Sequence, residues 1–373
     1  MPNQTVRAAD ALPSLPRIVD VARHAGVSTA TVDRVVNRRD GVRLQTVQRV
    51  LAAAAELGFA LGPEFDAQRP ARHDAMLHGA QPDMRALTLR AGRPLELLFL
   101  LPAGENPYLR MLGDYVELSH QQWAPFQVRC RTHYVESFNP AELARRLLQC
   151  GARADGIAFM ALEHPVVRDA VDALAERGVP AVTLISDVSN SRRLAYVGID
   201  NRAAGRTAGL LLGRFMGPRP SGKVAMLAGS LDYRSHEERE IGFLHLMEST
   251  FPGIRVIGMR EGQDDSQRNY EQTRHLFEQH PDLAGIYNSG GASDGVARAI
   301  NETRREHKPL FIGHGLTPDT RALLIDGTLD ALITQTPQAI VGTCVRVFRN
   351  ARDGAADPVK PIPFNIVLRE NLP

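Results

Sequence analysis

From Leu95 onward the chain repeats one pattern, and no other feature limits its fold as strongly. Short apolar runs recur at LELLFLLP (95–102), GIAFMAL (156–162), PAVTLIS (180–186), LAYVGID (194–200), KVAMLAG (223–229), IRVIGM (254–259), AGIYNS (284–289), PLFIGH (309–314) and LDALITQ (329–335). Helical stretches separate them at 140–149, 165–177, 202–215, 237–249, 266–279 and 294–306. A short continuous apolar run belongs to a strand covered on both faces, and strand–helix alternation lays such strands parallel. About ten strands exceed one compact sheet of the usual size, so two smaller doubly wound sheets are expected.

Residues 17–59 read PRIVDVARHAGVSTATVDRVVNRRDGVRLQTVQRVLAAAAELGF from Pro16, three short helical patterns with a glycine turn between the first two. Val19, Ala22 and Arg23 lie on the first, with Ala22 where two helices approach closely. Gly26 supplies the turn conformation, Val27 points into the module's core, and Ser28 can cap the next helix. Val32, Val35 and Val36 form an apolar stripe at helical spacing, which leaves Thr29, Ala30, Asp33, Arg34 and Asn37 on the polar side. In the third pattern (44–57), Val47, Val50, Leu51, Ala54 and Leu57 point inward and Gly58 ends it. This is the layout of a helix-turn-helix module that enters the DNA major groove; an ordinary three-helix unit is the bland alternative.

Net charge does not decide between them, because 44 Lys and Arg against 42 Asp and Glu leave only +2. Seven arginines oppose four carboxylates in the headpiece, a modest excess suited to phosphate contacts. Cys130, Cys150 and Cys344 form no CxxC pair and fit reduced residues. MPNQTVRAADALP has no basic region followed by an apolar run, and no stretch approaches the roughly 18 apolar residues of a membrane span, so a bacterial cytoplasmic location is expected. Residues 1–16 read as a leader and 60–94, broken by Pro63, Pro70, Pro82 and Pro94, as a linker.

Asp20–Asn37 matches, nearly position by position, the string D-V-A-x-x-A-G-V-S-x-x-T-V-S-R-V-L-N, and Ala53–Phe59 matches A-A-x-E-L-G-Y. The segment therefore resembles the headpiece of the lac repressor (LacI/GalR) family. Residues 95–373 resemble the type I periplasmic-binding-protein fold in its sugar-binding form. The matching residues are Asn106-Pro107-Tyr108, Val197-Gly198-Ile199-Asp200-Asn201, Glu238-Arg239-Glu240-Ile241-Gly242-Phe243 and Ile333-Thr334-Gln335. The resemblance implies an N-terminal all-α helix-turn-helix headpiece (17–59) and an α/β effector domain of two doubly wound parallel-sheet lobes. Lobe 1 would hold about 95–198 and 337–362, and lobe 2 about 199–336 and 363–373, with crossings near Gly198, Thr336 and Pro363.

It further implies a regulator, by family default a repressor, that binds an operator in double-stranded DNA as a homodimer, with tetramers left open. A small sugar-like or polyol effector would bind between the lobes at the strand ends. No enzymatic activity, cofactor, metal or membrane partner is expected. The DNA-facing set is Ser28, Thr29, Ala30, Thr31, Asp33, Arg34, Asn37 and Arg38, with Arg34 at a base edge, where two bonds to guanine give roughly 1–3 kcal/mol of discrimination. The effector set is Asn106, Tyr108, Asp187, Arg239, Asp264, Asn288, Ser289, His314 and Gln335. Arg239 leads it, against the alternative of a surface pair with Glu237 or Glu240.

Several positions depart from the family pattern. Asp33 replaces the usual Ser, Arg43 replaces a capping Ser, and Pro70 falls where a hinge helix should run, leaving Leu61 and Leu77 as candidates for its minor-groove leucine. Gly315 stands at the place of an acidic residue beside His314, and Asp264 where relatives often place an aromatic ring. GPRPSGK (217–223) imitates a phosphate loop but precedes a strand, and His236-Glu237-Glu238-Arg239-Glu240 lacks the second His of a zinc motif. The rival functions are a solute receptor without a DNA role, which predicts no headpiece, and an enzyme, for which no catalytic constellation is visible.

Overall fold

The structure, a computed structural model, describes residues 18–36, 46, 49–50, 53–54, 93–218, 220–303, 307–355 and 358–373. The chain divides into two compact units, Met1–Ala75 and Met76–Pro373.

In the first unit, helices Ile18–Ala25 and Thr29–Val36 present alanines and valines to each other. Val21, Ala22, Ala25, Val32 and Val35 close a small core with Val50, Ala53 and Ala54, and Val27 packs against it. Gly26 takes the left-handed conformation at φ 64°, so that Val27 N donates to Ala22 O at 3.0 Å and ends the first helix. Ser28 caps the second: its Oγ accepts from Thr31 N at 3.1 Å. Thr29 and Arg34 are exposed and Thr31 half-buried, on the flank away from the valines. Asn37, Arg38 and Arg43, the linker positions Leu61, Pro70 and Leu77, and the side chains of Ala30 and Asp33 lie outside the described residues.

The second unit contains two sheets. The first joins β1 (Leu95–Pro102), β2 (Val128–Val135), β3 (Gly156–Phe159), β4 (Ala181–Leu184) and β5 (Ala195–Val197) in the order β2-β1-β3-β4-β5, all parallel. The second joins β6 (Gly222–Ala228), β7 (Ile254–Glu261), β8 (Leu283–Asn288), β9 (Leu310–His314), β10 (Ala331–Thr334) and β11 (Asn365–Val367) in the order β11-β10-β9-β8-β6-β7. Among the described residues only the β10–β11 pair is antiparallel.

Two strands were not among the apolar runs of the sequence. β2 is an edge strand: Val128, Cys130 and Val135 are buried while Arg129, Arg131 and His133 are exposed, so it alternates where the central strands do not. β11, NIV, is too short to stand out and buries only Val367.

Each sheet has its own apolar interior, and the chain moves between them. Val197 belongs to the first and Ile199 to the second; Ile333 belongs to the second and Ile340 to the first; Ile362 lies in the first and Val367 in the second. Helix Pro337–Arg352 thus follows the second sheet in sequence but packs on the first. A Cβ on Gly156 would stand 2.5 Å from the Phe348 ring, so a bare strand backbone is what admits that ring. Across the second lobe, helices Asn201–Phe215 and Arg234–Thr250 touch backbone to backbone. A Cβ on Gly205 would lie 2.0 Å from Arg239 O, and one on Gly242 2.1 Å from Arg202 O. Among the described residues no helix is long and apolar enough to cross a membrane.

Candidate functional site

The carboxyl ends of the two sheets face one cavity of about 550 Å³ of empty space, part of it open to solvent. Lobe 1 contributes Asn106, Tyr108 and Leu109 after β1, Met160 after β3 and Ile185 after β4. Lobe 2 contributes Ser235, His236 and Arg239 from one helix, Asp264 after β7, Gly290 and Gly291 after β8, and His314 at the end of β9. Gln335 closes the set beside the second crossing.

Arg239 is the charged centre. Its residue is only 6% exposed, which rules out the surface pair with Glu237 or Glu240. Nε donates to Asn201 Oδ1 at 2.9 Å and Nη1 to the Ser289 carbonyl at 2.6 Å. Both acceptors are neutral, and among the described residues Arg239 forms no ion pair. Burial pushes its pKa down for that reason. A guanidinium kept in a cleft without a carboxylate partner is costly unless something else completes its hydrogen bonds.

The other polar groups are set by local structure. Asn106 caps helix Pro107–Leu118: its Oδ1 accepts from Tyr108 N at 3.1 Å, which turns Nδ2 across the cleft to Asp264 Oδ2 at 2.8 Å. Tyr108 donates its hydroxyl to the Gln335 carbonyl at 3.0 Å. Further cross-lobe bonds run from Ser235 N to Ser186 Oγ at 3.3 Å and from Glu163 N to the Asp232 carbonyl at 2.8 Å. The lobes are therefore closed on each other. Two cavity atoms are buried with no partner, Ser235 Oγ and Gln335 Oε1.

Two imidazoles flank Arg239. His236 Nδ1 lies 2.8 Å from the Ser230 carbonyl and His314 Nε2 lies 2.8 Å from the Tyr287 hydroxyl. Burial lowers both pKa values, His314 well below the usual range; the charge of Arg239 adds to the effect, and at His236 the charge of Asp264 opposes it without reversing the direction. Both rings are neutral at pH 7.

Arg239 also connects to the first crossing. Asn201 Nδ2 donates to Tyr196 Oη at 3.0 Å, and that hydroxyl lies 3.0 Å from the carbonyls of both Ile185 and Ile199. Ile185 holds φ 64°, a conformation that β-branched residues resist at a cost of order 1–3 kcal/mol.

Of the nine expected effector residues, the cavity brings together Asn106, Tyr108, Arg239, Asp264, His314 and Gln335. It leaves out three. Asp187 pairs with Arg193 at 2.6 Å and accepts from Thr183 Oγ1 at 2.6 Å, so its carboxylate serves the lobe-1 loop. Asn288 holds its own turn, donating to the Gly291 carbonyl at 2.8 Å, and Ser289 Oγ donates to the Leu227 carbonyl at 3.1 Å. Ending a strand on the right side placed these residues near the cleft without turning their side chains into it.

Sequence reasoning missed Ser235 and His236. His236 lies three positions before Arg239 on one helix and so on the same face, a helical spacing that comparison with a zinc motif does not register. Lys223 of the imitation phosphate loop lies in β6, and its Nζ pairs with Asp282 at 2.9 Å.

Comparison with known proteins agrees with this geometry. The family of periplasmic binding protein domains matches residues 140–356, more than half of the chain, and the bacterial regulatory proteins of the lacI family match residues 17–60. The HTH-type transcriptional repressor PurR of Yersinia pestis is 25% identical over 275 residues, covering 73% of this chain and 72% of that protein; PurR of Serratia proteamaculans matches to the same extent. Among solved structures, GanP, a glucose-galactose binding protein from Geobacillus stearothermophilus, superposes with a TM-score of 0.69 at 25% identity, covering 76% of this chain and 100% of GanP. A solute binding protein from Burkholderia graminis in complex with D-arabinose shares the fold at a TM-score of 0.68 and 22% identity, over 76% of this chain and 98% of its own. With its valine-packed headpiece and its two-lobed cleft, the chain belongs to the family of periplasmic binding protein domains over its larger part and carries a regulatory domain of the lacI family at residues 17–60.

Proposed function

We propose that this chain is a transcriptional repressor that reads its operator with the exposed flank of helix Thr29–Val36 and is controlled by a sugar or polyol bound between its lobes. The observation that carries the effector half is Arg239: a buried guanidinium in a cavity, unpaired with any carboxylate among the described residues, beside the partnerless Ser235 Oγ and Gln335 Oε1. Ligand hydroxyls would complete all three. Arg34 and Thr29 support the DNA half by their exposure opposite the valine core. In this reading residues 17–59 bind DNA, with Ser28, Thr31, Asn37 and Arg38 beside them. Residues 60–94 join that headpiece to the effector domain at 95–373, with 1–16 as a leader.

The working form is a cytoplasmic homodimer, one headpiece per operator half-site. The cleft binds and closes; it performs no chemistry on its ligand. The PurR relatives are named repressors and the GanP likeness is named a glucose-galactose binder, and both names fit this division of labour. Fluorescence anisotropy on DNA from neighbouring promoters, with and without a panel of neutral sugars and polyols, tests the reading. A sequence-selective complex whose affinity shifts with one panel member is expected. Equal binding to random DNA, or no response to any member, would defeat it.

A further inference from the structure

We propose that Asp264 sets the chemical class of the effector: the cleft accepts an uncharged, hydroxyl-rich compound and rejects its carboxylate and phosphate counterparts. The proposal rests on reading the cleft as a sugar or polyol site and narrows that reading.

Asp264 is built into the wall. Its backbone takes φ 53°, as does that of Gln263 before it, which is unusual for two consecutive non-glycine residues. Oδ1 accepts from Gly291 N at 2.7 Å and Oδ2 from Asn106 Nδ2 at 2.8 Å. Glycines make the room: a Cβ on Gly229 would stand 2.6 Å from Oδ1 and one on Gly290 2.7 Å from it. The carboxylate is thus held by donors from both lobes, and the Gly291 N–H of its own lobe keeps it at the wall even without the Asn106 amide.

Charge and hydrogen-bond polarity then select. Among the described residues the cavity carries one cation, Arg239, and one anion, Asp264, with His236 and His314 neutral. A hydroxyl can accept from the guanidinium and donate to the carboxylate. An ionised acid can only accept, so beside Asp264 it meets a like charge with no proton between them. At about 4 Å and an effective dielectric constant of about 20, that repulsion alone is worth roughly a thousandfold, part of which Arg239 returns. Gln335 Oε1, buried and without a donor, makes the same demand for an O–H. The remaining walls at Met160, Ile185 and Ile199 are aliphatic and suit the C–H faces of a saturated ring.

Isothermal titration of the full-length protein with matched probes tests this: D-glucose, D-gluconate and D-glucose 6-phosphate; D-arabinose and D-arabinonate; myo-inositol and its monophosphate. The neutral member of a pair should bind at least about tenfold more tightly than its acid. Asp264→Asn, which the left-handed backbone tolerates, should narrow that ratio by strengthening the acid. Asn106→Ser keeps a helix cap and the carboxylate but removes the cross-lobe amide, and should preserve the ratio even if both affinities fall. An acid that binds wild-type protein as well as its neutral partner overturns the proposal. So does a folded Asp264→Asn variant with an unchanged ratio, or an Asn106→Ser variant that loses it. If no member of any pair binds, the sugar-or-polyol reading itself fails and the proposal falls with it.

Discussion

Tyr196→Phe isolates one hydroxyl at the first crossing between the lobes. The ring is half-buried, while its hydroxyl is turned inward, and burial raises its pKa. Removing it takes a donor from the neighbouring Ile185 and Ile199 carbonyls and an acceptor from Asn201 Nδ2. Asn201 keeps a weaker contact to the Ile185 carbonyl at 3.4 Å, so that group is partly compensated. Each buried polar group left unpaired costs about 1–3 kcal/mol, and the phenyl ring preserves the apolar contacts. The expected loss is about 1.5–3 kcal/mol, which lowers the Tm of a domain of this size by roughly 3–10 °C. Because Arg239 still has Asn201 Oδ1, ligand affinity should fall less than about tenfold, within the scale of one neutral hydrogen bond. Urea and thermal unfolding of the full chain, read by circular dichroism, give the first number and titration the second. A loss under about 0.5 kcal/mol, below the range for one buried orphan, would show that the hydroxyl does not tie the two sides of the crossing together.

Arg34→Ala should weaken operator binding by about 1–3 kcal/mol while changing random-DNA binding far less; equal losses in a competition gel shift would reassign Arg34 to phosphate. Arg239→Ala should abolish the effector response and leave operator binding intact, and an anisotropy titration that still shifts with ligand would remove Arg239 from the cleft. The histidines predict a pH dependence with a definite sign. Burial depresses the pKa of His236 and His314 in the folded state, so the unfolded chain binds protons first. The stability that this contributes is complete above the ordinary histidine value of 6.5 and is lost as pH falls below it, by up to about 1.4 kcal/mol per unit for each ring. Urea midpoints at pH 7.5, 6.5 and 5.5 that do not fall, or that fall equally in His236→Gln/His314→Gln protein, would contradict the burial of these rings.

What the sequence disclosed divides along physical lines. Central strands announced themselves because both faces are covered: GIAF and ALIT are apolar at nearly every position and lie buried throughout. β2 stayed hidden because an edge strand needs only alternate apolar residues, and Arg129 and Arg131 masked it. The headpiece was legible because Gly26, Ser28 and the valine stripe are local signals, each read within a few residues. The cleft was legible only as far as strand ends. Asn106 and Asp187 follow strands in the same way, yet Arg193, six residues on, claims Asp187 for its own loop while Asn106 is free to reach Asp264. Which side chain turns inward depends on partners brought from elsewhere in the chain, and no local pattern records that. The closed geometry around Asp264 needed Gly229 and Gly290 from two other loops and was equally invisible.

The Phe348 ring that lies against Gly156 has a consequence for how the protein is made. β1 and β3 leave the ribosome early, but the helix that covers them is encoded roughly 180 residues later, which at about 5–20 residues per second is a delay of order ten seconds or more. During that interval the backbone of Gly156 lacks the ring that covers it in the finished protein. Synthesis order and assembly order differ in this molecule: the lobe begun first waits for a helix made after most of the other lobe.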